Sequence, residues 1–378
     1  WSFGYNMADP KVAALKPEEL LSTHNGRREQ AAVTPAQHPV TMGGTEPIGV
    51  GKSWSRASGE PQLDEHDLPV PTYVPWLGKT VEHPEHYGIY FQERWDEALA
   101  CDPEFLYIND WNEWTAGKYQ PGGEGKTVSW LRRQSPFFFV DQYNAEFNRC
   151  IHPVKGGYTD NYYMQMAQNL RRYKGARPIP RLEGYAEAKA DGDFGEWDAV
   201  TTEYRDTRGD VFHRDAKGYA GLHYVDTSGR NDILTAKVAV GRSAIGFYAE
   251  TADALTPSDG NNWMLLLIDA DNDSSTGWYG YDFVINKKVK DGRTTTLMRY
   301  DSDSEQWIEA AELPYRYEGN RLEVIVPRKL LGLTGDGFTF DFKWSDNAYE
   351  LEDPISLCLH GDTAPNRRFN YRCIWNRR

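Results

Sequence analysis

The chain lacks any apolar run long enough to cross a bilayer, since its longest, at 264–268, is far short of the roughly 18 residues a spanning helix needs. It also lacks clustered positive charge. Its 42 Lys and Arg are outnumbered by 56 Asp and Glu, for a net charge of −14, and the basic groups are scattered along the chain, as Arg171–Arg172 and Arg367–Arg368 are. Nucleic-acid binding, which needs grouped Lys and Arg to neutralise phosphates, is excluded as a function class. Cysteine is scarce: Cys101, Cys150, Cys358 and Cys373 form no Cys-x-x-Cys pair, which removes a zinc ribbon and a thioredoxin-type site. An initiator Met and a charged-then-apolar leader are both missing. The chain opens at Trp1 inside the phrase WSFGY and reads as a fragment whose beginning is absent, so compartment has to be argued from function.

Against these absences stands an abundance of rings. With 13 Trp, 23 Tyr and 15 Phe in a chain of only 39% hydrophobic residues and a mean hydropathy of −0.70, some rings are expected to do more than fill a core. Flat apolar faces beside carboxylates and amides suit sugars, whose C–H groups stack on rings while their hydroxyls take hydrogen bonds. The competing account is an aromatic-rich β-sandwich whose rings are structural.

A length of 378 residues suggests two or three domains. The segment 175–185, GARPIPRLEGY, carries two prolines and two glycines between a helical and an alternating pattern, which predicts a linker there between a domain at 1–174 and another at 186–378. Upstream, 31–35, 49–54 and 105–111 read as short buried strands. Residues 85–100 have apolar positions at helical spacing, and Asp160 caps a second helix running to Lys174 with Gly175 as its stop. Strand and helix in alternation predict α/β wrapping. Downstream, 244–250, 264–269, 282–286, 294–299, 322–326 and 338–344 alternate in hydrophobicity between Asp/Gly/Asn turns, the pattern of an antiparallel β-sandwich.

Several motifs fail on inspection. Gly125-Lys126-Thr127 and Gly51-Lys52-Ser53 have Gln120 and Glu46 where a phosphate loop needs its first glycine. Ser53 lacks the following glycine of a nucleophile elbow. His83 and His86 lie in a Pro-flanked phrase without the Glu-bearing helical frame of a zinc protease and read as solvated loop histidines.

The phrase that carries chemistry runs from Phe105 to Trp114, FLYINDWNEW, in which an apolar strand leads into two carboxylates, two amides and two indoles. In a β/α barrel the C-terminal strand ends hold the reacting groups. Glycoside cleavage needs two carboxyl groups, one of them protonating the leaving oxygen. Trp111 and Trp114 would form a sugar platform or raise a carboxylate pKa by desolvation. The alternative is a strand end whose Asp and Asn cap a loop. Asp110 and Glu113 can share a site only if the chain turns after Asp110, because strand positions three apart face opposite ways.

Trp111-Asn112-Glu113-Trp114 resembles the WNEW signature of the glycoside hydrolase family 99-like proteins. The resemblance implies a (β/α)8 barrel, of which 1–174 would be the C-terminal part, and two cooperating carboxylates. Asp110 would act as base towards the sugar 2-hydroxyl and Glu113 as general acid/base, with Trp111, Asn112 and Trp114 lining the cleft. Function is then glycoside hydrolysis of a polysaccharide or glycan by an exported protein, secreted, periplasmic or at the cell surface. The rival reading is a non-catalytic glycan-binding protein, in which the barrel is degenerate and the shortened Asp110 no longer serves.

The phrases DGDFGEW at 191–197, WMLLLIDADNDSSTGWYGYDFVIN at 263–286, FDFKWSDN at 340–347 and GDTAPNRRFN at 361–370 together resemble carbohydrate-binding module family 9-like sandwiches. If this sandwich binds glycan, Trp278 and Tyr279, in a polar turn after Gly277, are expected to form an exposed platform, with Asp346 or Asn347 adding polar contacts. The alternative folds Trp278 back over the Asp-rich loop, leaving the sandwich a spacer. Asp269, Asp271, Asp273 and nearby Asp282 offer alternate carboxylates suited to a structural calcium ion, or to a solvated turn. No cofactor is expected for catalysis. Cys358 and Cys373, each in a strand-like phrase, are either bridged or two buried thiols.

Overall fold

The computed structural model describes residues 10–35, 70–109, 111, 118–119, 127–128, 133–134, 138–139, 150–154, 156–211, 213–217, 221, 223–260 and 262–377. The chain divides into two compact units, Trp1–Ala176 and Arg177–Arg378.

In the first unit a single helical turn α1 (Pro10–Ala13) precedes strands β1 (Ser22–His24) and β2 (Arg27–Val33), a hairpin of β3 (Thr72–Val74) and β4 (Lys79–Val81), helix α2 (Ile89–Ala100) and strand β5 (Phe105–Ile108). Two-residue strands follow, β6 (Lys118–Tyr119) pairing with β9 (Phe138–Phe139) and β7 (Thr127–Val128) with β8 (Arg133–Gln134), before helix α3 (Asn161–Lys174). β2 and β5 lie side by side and parallel, Val33 opposite Ile108, with α2 between them in sequence. This is one crossover of the β/α kind. Among the described residues the sheet has three strands, β1-β2-β5, with no closed barrel. Its core joins Ala31 and Val33 to Phe91, Trp95 and Ala98 of α2 and to Tyr162 and Met166 of α3, Phe91 stacking on Tyr162 at 6.0 Å between ring centroids. The predicted helix at 85–100 begins four residues late. Pro84–His86 forms a separate 3-10 turn, and Gly88 then takes φ +56°, where an added Cβ would stand 2.5 Å from the Gln165 side chain.

The second unit is antiparallel almost throughout. Its strands are β10 (Arg181–Glu183), β11 (Tyr204–Arg205), a separate hairpin β12 (Arg214–Lys217) with β13 (His223–Asp226), then β14 (Ile233–Val240), β15 (Ala244–Thr251), β16 (Leu265–Asp269), β17 (Phe283–Val289), β18 (Thr294–Asp301), β19 (Gln306–Glu318), β20 (Arg321–Pro327), β21 (Gly337–Asp346), β22 (Asp362–Ala364) and β23 (Tyr371–Asn376). Twelve of these join in the order β10-β23-β21-β16-β17-β18-β19-β20-β15-β14-β11, with β22 on β21. β19 is the corner: its first half, as far as Pro314, pairs with β18, and Tyr315–Glu318 pair with β20. The sheet thereby curls over a shared core, as a β-sandwich does. Phe247 of β15 meets Phe340 and Phe342 of β21, each at 5.8 Å.

Alternation explains why β16 reads as an unbroken apolar run. Leu266 and Ile268 face the inner core, while Leu265 and Leu267 face a second cluster with Trp278, Tyr281, Val284 and Leu357. The outer face of β15 is likewise covered, Tyr248 packing on Trp197 of the 3-10 segment Phe194–Ala199. There the fully buried Glu323 accepts from Trp197 Nε1 at 2.9 Å and from Gly192 N at 2.9 Å.

Residues 356–360, read as strand-like, instead hold the short helix α4 (Ser356–Leu359). Cys373 in β23 is a free, buried thiol beside Tyr204, its pKa pushed up to about 12 by burial, so no bridge joins it to Cys358. Among the described residues no helix is long and apolar enough to cross a membrane.

Candidate functional site

Of the glycosidase-like phrase, Asp110, Asn112, Glu113 and Trp114 lie outside the described residues. Strand β5 ends at Ile108, and Asn109 N still donates to Val33 O at 2.9 Å. Trp111 is 46% exposed, its ring edge-on to Tyr163 at 5.8 Å, and its carbonyl accepts from Ile151 N at 2.9 Å.

The Asp-rich loop is built by the end of β16 and the start of β17. Asp269 closes one strand, Asp282 precedes the next, and Asp271 sits between, with one oxygen of each within 4.8 Å of the others. Backbone amides hold the carboxylates in place: Asn272 N donates to Asp269 at 2.6 Å, Ala270 N to Asp282 at 2.8 Å, and Asp273 N to Asp271 at 2.8 Å. Burial first, then the charge of Asp341, pushes Asp269 up to about 7, and burial likewise raises Asp282. Three hard oxygen donors, of which Asp269 and Asp282 disfavour their own ionisation, form a set that calcium would suit. Asp273, the fourth predicted ligand, is not in this cluster. Its carboxylate accepts from Ser275 N at 2.9 Å and Ser275 Oγ at 2.5 Å, the local turn bond that Asp makes when it initiates a turn.

A second carboxylate cluster escaped the sequence reading. Asp206, just beyond β11, Asp210 in the following turn and Asp362 in β22 converge within 4.8 Å. Asn366 Nδ2 donates to both Asp206 at 3.1 Å and Asp210 at 2.6 Å, and the other oxygens of those two carboxylates are buried without a hydrogen-bond partner. Burial and mutual repulsion push Asp362 up to about 7 and Asp206 up to about 6. More than 150 residues separate Asp206 from Asp362, so no local spacing signals the cluster.

The predicted sugar platform is corrected by burial. Trp278 is 4% exposed, packed against Tyr281 and Trp307, because Leu265 and Leu267 on the outer face of β16 need cover. Tyr279 beside it is 39% exposed. Asp346 is wholly buried and committed to Arg230 and to Met264 N, so it cannot contact a ligand. Asn347 is half-buried at φ +60°, its amide 3.4 Å from both Asp226 Oδ2 and Ser228 Oγ.

Two residues further on lies a ring that the sequence reading passed over. Tyr349 is the most exposed large hydrophobic side chain among the described residues, at 62%, and it stacks on His360 with centroids 5.2 Å apart and planes at 24°. His360 Nδ1 is 3.9 Å from Asp226 Oδ2, which also accepts from Gly361 N at 2.6 Å. Gly361 is required here: at φ +66° an added Cβ would lie 1.9 Å from the Asp346 carbonyl oxygen. An exposed stacked ring near the half-buried Asn347 amide offers the mixed apolar and polar contacts that sugars take, while Asp226, buried and bonded to Ser228 and Gly361, braces the site from beneath.

No protein-family model matches the chain, and no curated protein matches it. Among solved structures it is similar to a carbohydrate-binding module family 9 from Caldicellulosiruptor kristjanssonii in complex with cellotriose, at 11% identity, over 53% of this chain and 95% of that one, with a TM-score of 0.28. A likeness at that TM-score transfers no site.

Proposed function

We propose that the second unit is a glycan-binding β-sandwich whose contact surface is the Tyr349–His360 stack with Asn347 beside it. The Tyr349 ring carries this reading, since it is held open to solvent by its stack on His360 and so presents the flat apolar face on which sugar C–H groups pack. Tyr349 supplies the apolar face, and the Asn347 amide and His360 supply groups for sugar hydroxyls. The Asp269–Asp271–Asp282 cluster has the structural role, holding the loop between β16 and β17 around calcium. Such a protein would meet its glycan outside the cell or at its surface.

Binding does not require Asp110 and Glu113. Glycoside hydrolysis, with Glu113 as acid/base and Asp110 as partner at the end of a barrel strand, rests on the sequence phrase alone. Affinity electrophoresis of the intact chain through glucan, mannan and xylan gels tests the binding proposal. Retardation by at least one polysaccharide, lost in Tyr349→Ala, is the expected result. Unretarded migration in all three, or retardation unchanged by the substitution, refutes it.

A further inference from the structure

The 3-10 turn ahead of α2 gathers three side chains that the glycan reading does not use. A 3-10 turn brings positions i and i+3 into register, and the imidazoles of His83 and His86 accordingly stack, with centroids 5.2 Å apart and planes at 22°. Between them in sequence, Glu85 points the same way. Its Oε1 lies 3.1 Å from His83 Nδ1 and 3.9 Å from His86 Nε2. Glu85 is only 7% exposed, and its other oxygen, Oε2, is buried with no hydrogen-bond partner. A buried carboxylate oxygen left without a donor is costly, and a bound cation would offset that cost.

From this geometry we infer that His83, Glu85 and His86 form a zinc-type metal site. Two imidazole nitrogens and one carboxylate oxygen are the donors that zinc takes in open, three-ligand sites, which leave a fourth position for water or an exogenous ligand. Ligand atoms about 2.0–2.1 Å from zinc in a tetrahedron stand roughly 3.3 Å apart. The separations of 3.1 and 3.9 Å fall on either side of that value, and the two rings, stacked at 22°, would turn out of their stack to aim both lone pairs at one ion.

The turn is braced for such a role. Tyr162 Oη donates to the Glu85 carbonyl at 3.2 Å and Asn161 Nδ2 to the His86 carbonyl at 3.0 Å, so the first turn of α3 fixes the backbone on which both ligands stand. His83 is largely exposed, so the site opens to solvent on its side.

Zinc titration of the intact, tag-free, chelator-treated chain, followed by calorimetry, tests the assignment, with cobalt absorption reporting coordination. One site of micromolar or tighter affinity and a visible cobalt band of tetrahedral type are expected. Affinity should fall roughly tenfold or more in His83→Ala and in Glu85→Gln. His83→Ala alters an exposed side chain and leaves the fold intact, as circular dichroism will show. The Asp clusters of the other unit lack these ligands, so zinc held there would be indifferent to both substitutions. Absence of a micromolar site, or an affinity that stays within twofold in both variants, overturns the inference.

Discussion

Arg230 Nε meets Asp346 Oδ2 at 2.7 Å, and the carboxylate in this ion pair is wholly withdrawn from water while the guanidinium keeps partial access to it. Removing the partner of a buried charge costs about 3–5 kcal/mol, because the remaining charge has no compensation. Arg230→Ala should therefore destabilise by that amount in urea unfolding. The sign of its pH dependence follows from burial, which already raises the Asp346 pKa. A carboxyl whose folded pKa exceeds its unfolded one loses stability as pH rises between the two. The deficit of Arg230→Ala should accordingly be larger at pH 8 than at pH 5.

The same linkage governs the acidic clusters. Asp269 and Asp362 are pushed up to about 7 and Asp206 up to about 6, so each is protonated in the folded chain over a range where the unfolded chain is ionised. Without metal, the second unit should lose stability as pH rises from about 4 to about 7 and change little above. A bound cation reverses this by favouring the ionised carboxylates. Calcium at about 100 times its Kd is worth about 2.7 kcal/mol, or about 5–10 °C in Tm for a unit of this size. Thermal unfolding with and without chelator should show that gain at pH 7.5 and its disappearance near pH 5. No calcium-dependent shift at pH 7.5 excludes a calcium site.

Trp278 and Tyr349 should behave oppositely. Trp278→Ala opens a cavity beneath Leu265 and Leu267 and should cost about 3–5 kcal/mol. Tyr349→Ala removes a ring that is 62% exposed, should change stability by no more than about 0.5 kcal/mol, and should abolish glycan retention. Denaturation and affinity electrophoresis on the two variants separate a core residue from a binding one.

Trp197→Phe keeps the ring on Tyr248 but takes away one of the two donors to the buried Glu323. A loss of about 1–3 kcal/mol is expected from the uncompensated oxygen, measured by urea unfolding. Pairing it with Glu323→Leu should recover part of that loss, since an apolar pair leaves no orphan acceptor.

Local pattern carried much of the second unit. The alternation at 244–250, 294–299, 322–326 and 338–344 predicts strands that the structure extends by at most two residues at either end. Asp160 and Gly175 bracket α3 at the expected positions, although the Asp160 side chain makes no capping hydrogen bond. What sequence could not supply was the far side of a contact. A polar turn around Trp278 argued for exposure, yet the outer face of β16, itself invisible in the loop sequence, draws the indole in. The Asp206–Asp362 cluster depends on strands from opposite ends of the unit. The histidines His83 and His86 were judged against a helical zinc frame, whereas a 3-10 turn aligns them by a different period.

The pairing of β10 with β23 bears on how the second unit would answer mechanical load. The two strands run parallel, Arg181 opposite Ile374 and Glu183 opposite Asn376, and they are the first and last strands of the unit. A pull on its two ends would slide one strand along the other, straining their hydrogen bonds together rather than opening them in sequence. Gly184 extends the grip, its amide donating to Asn376 O at 3.0 Å and its carbonyl accepting from Trp375 Nε1 at 2.5 Å. Under tension between the two ends of the unit, β10 and β23 would thus act as a clamp loaded in shear.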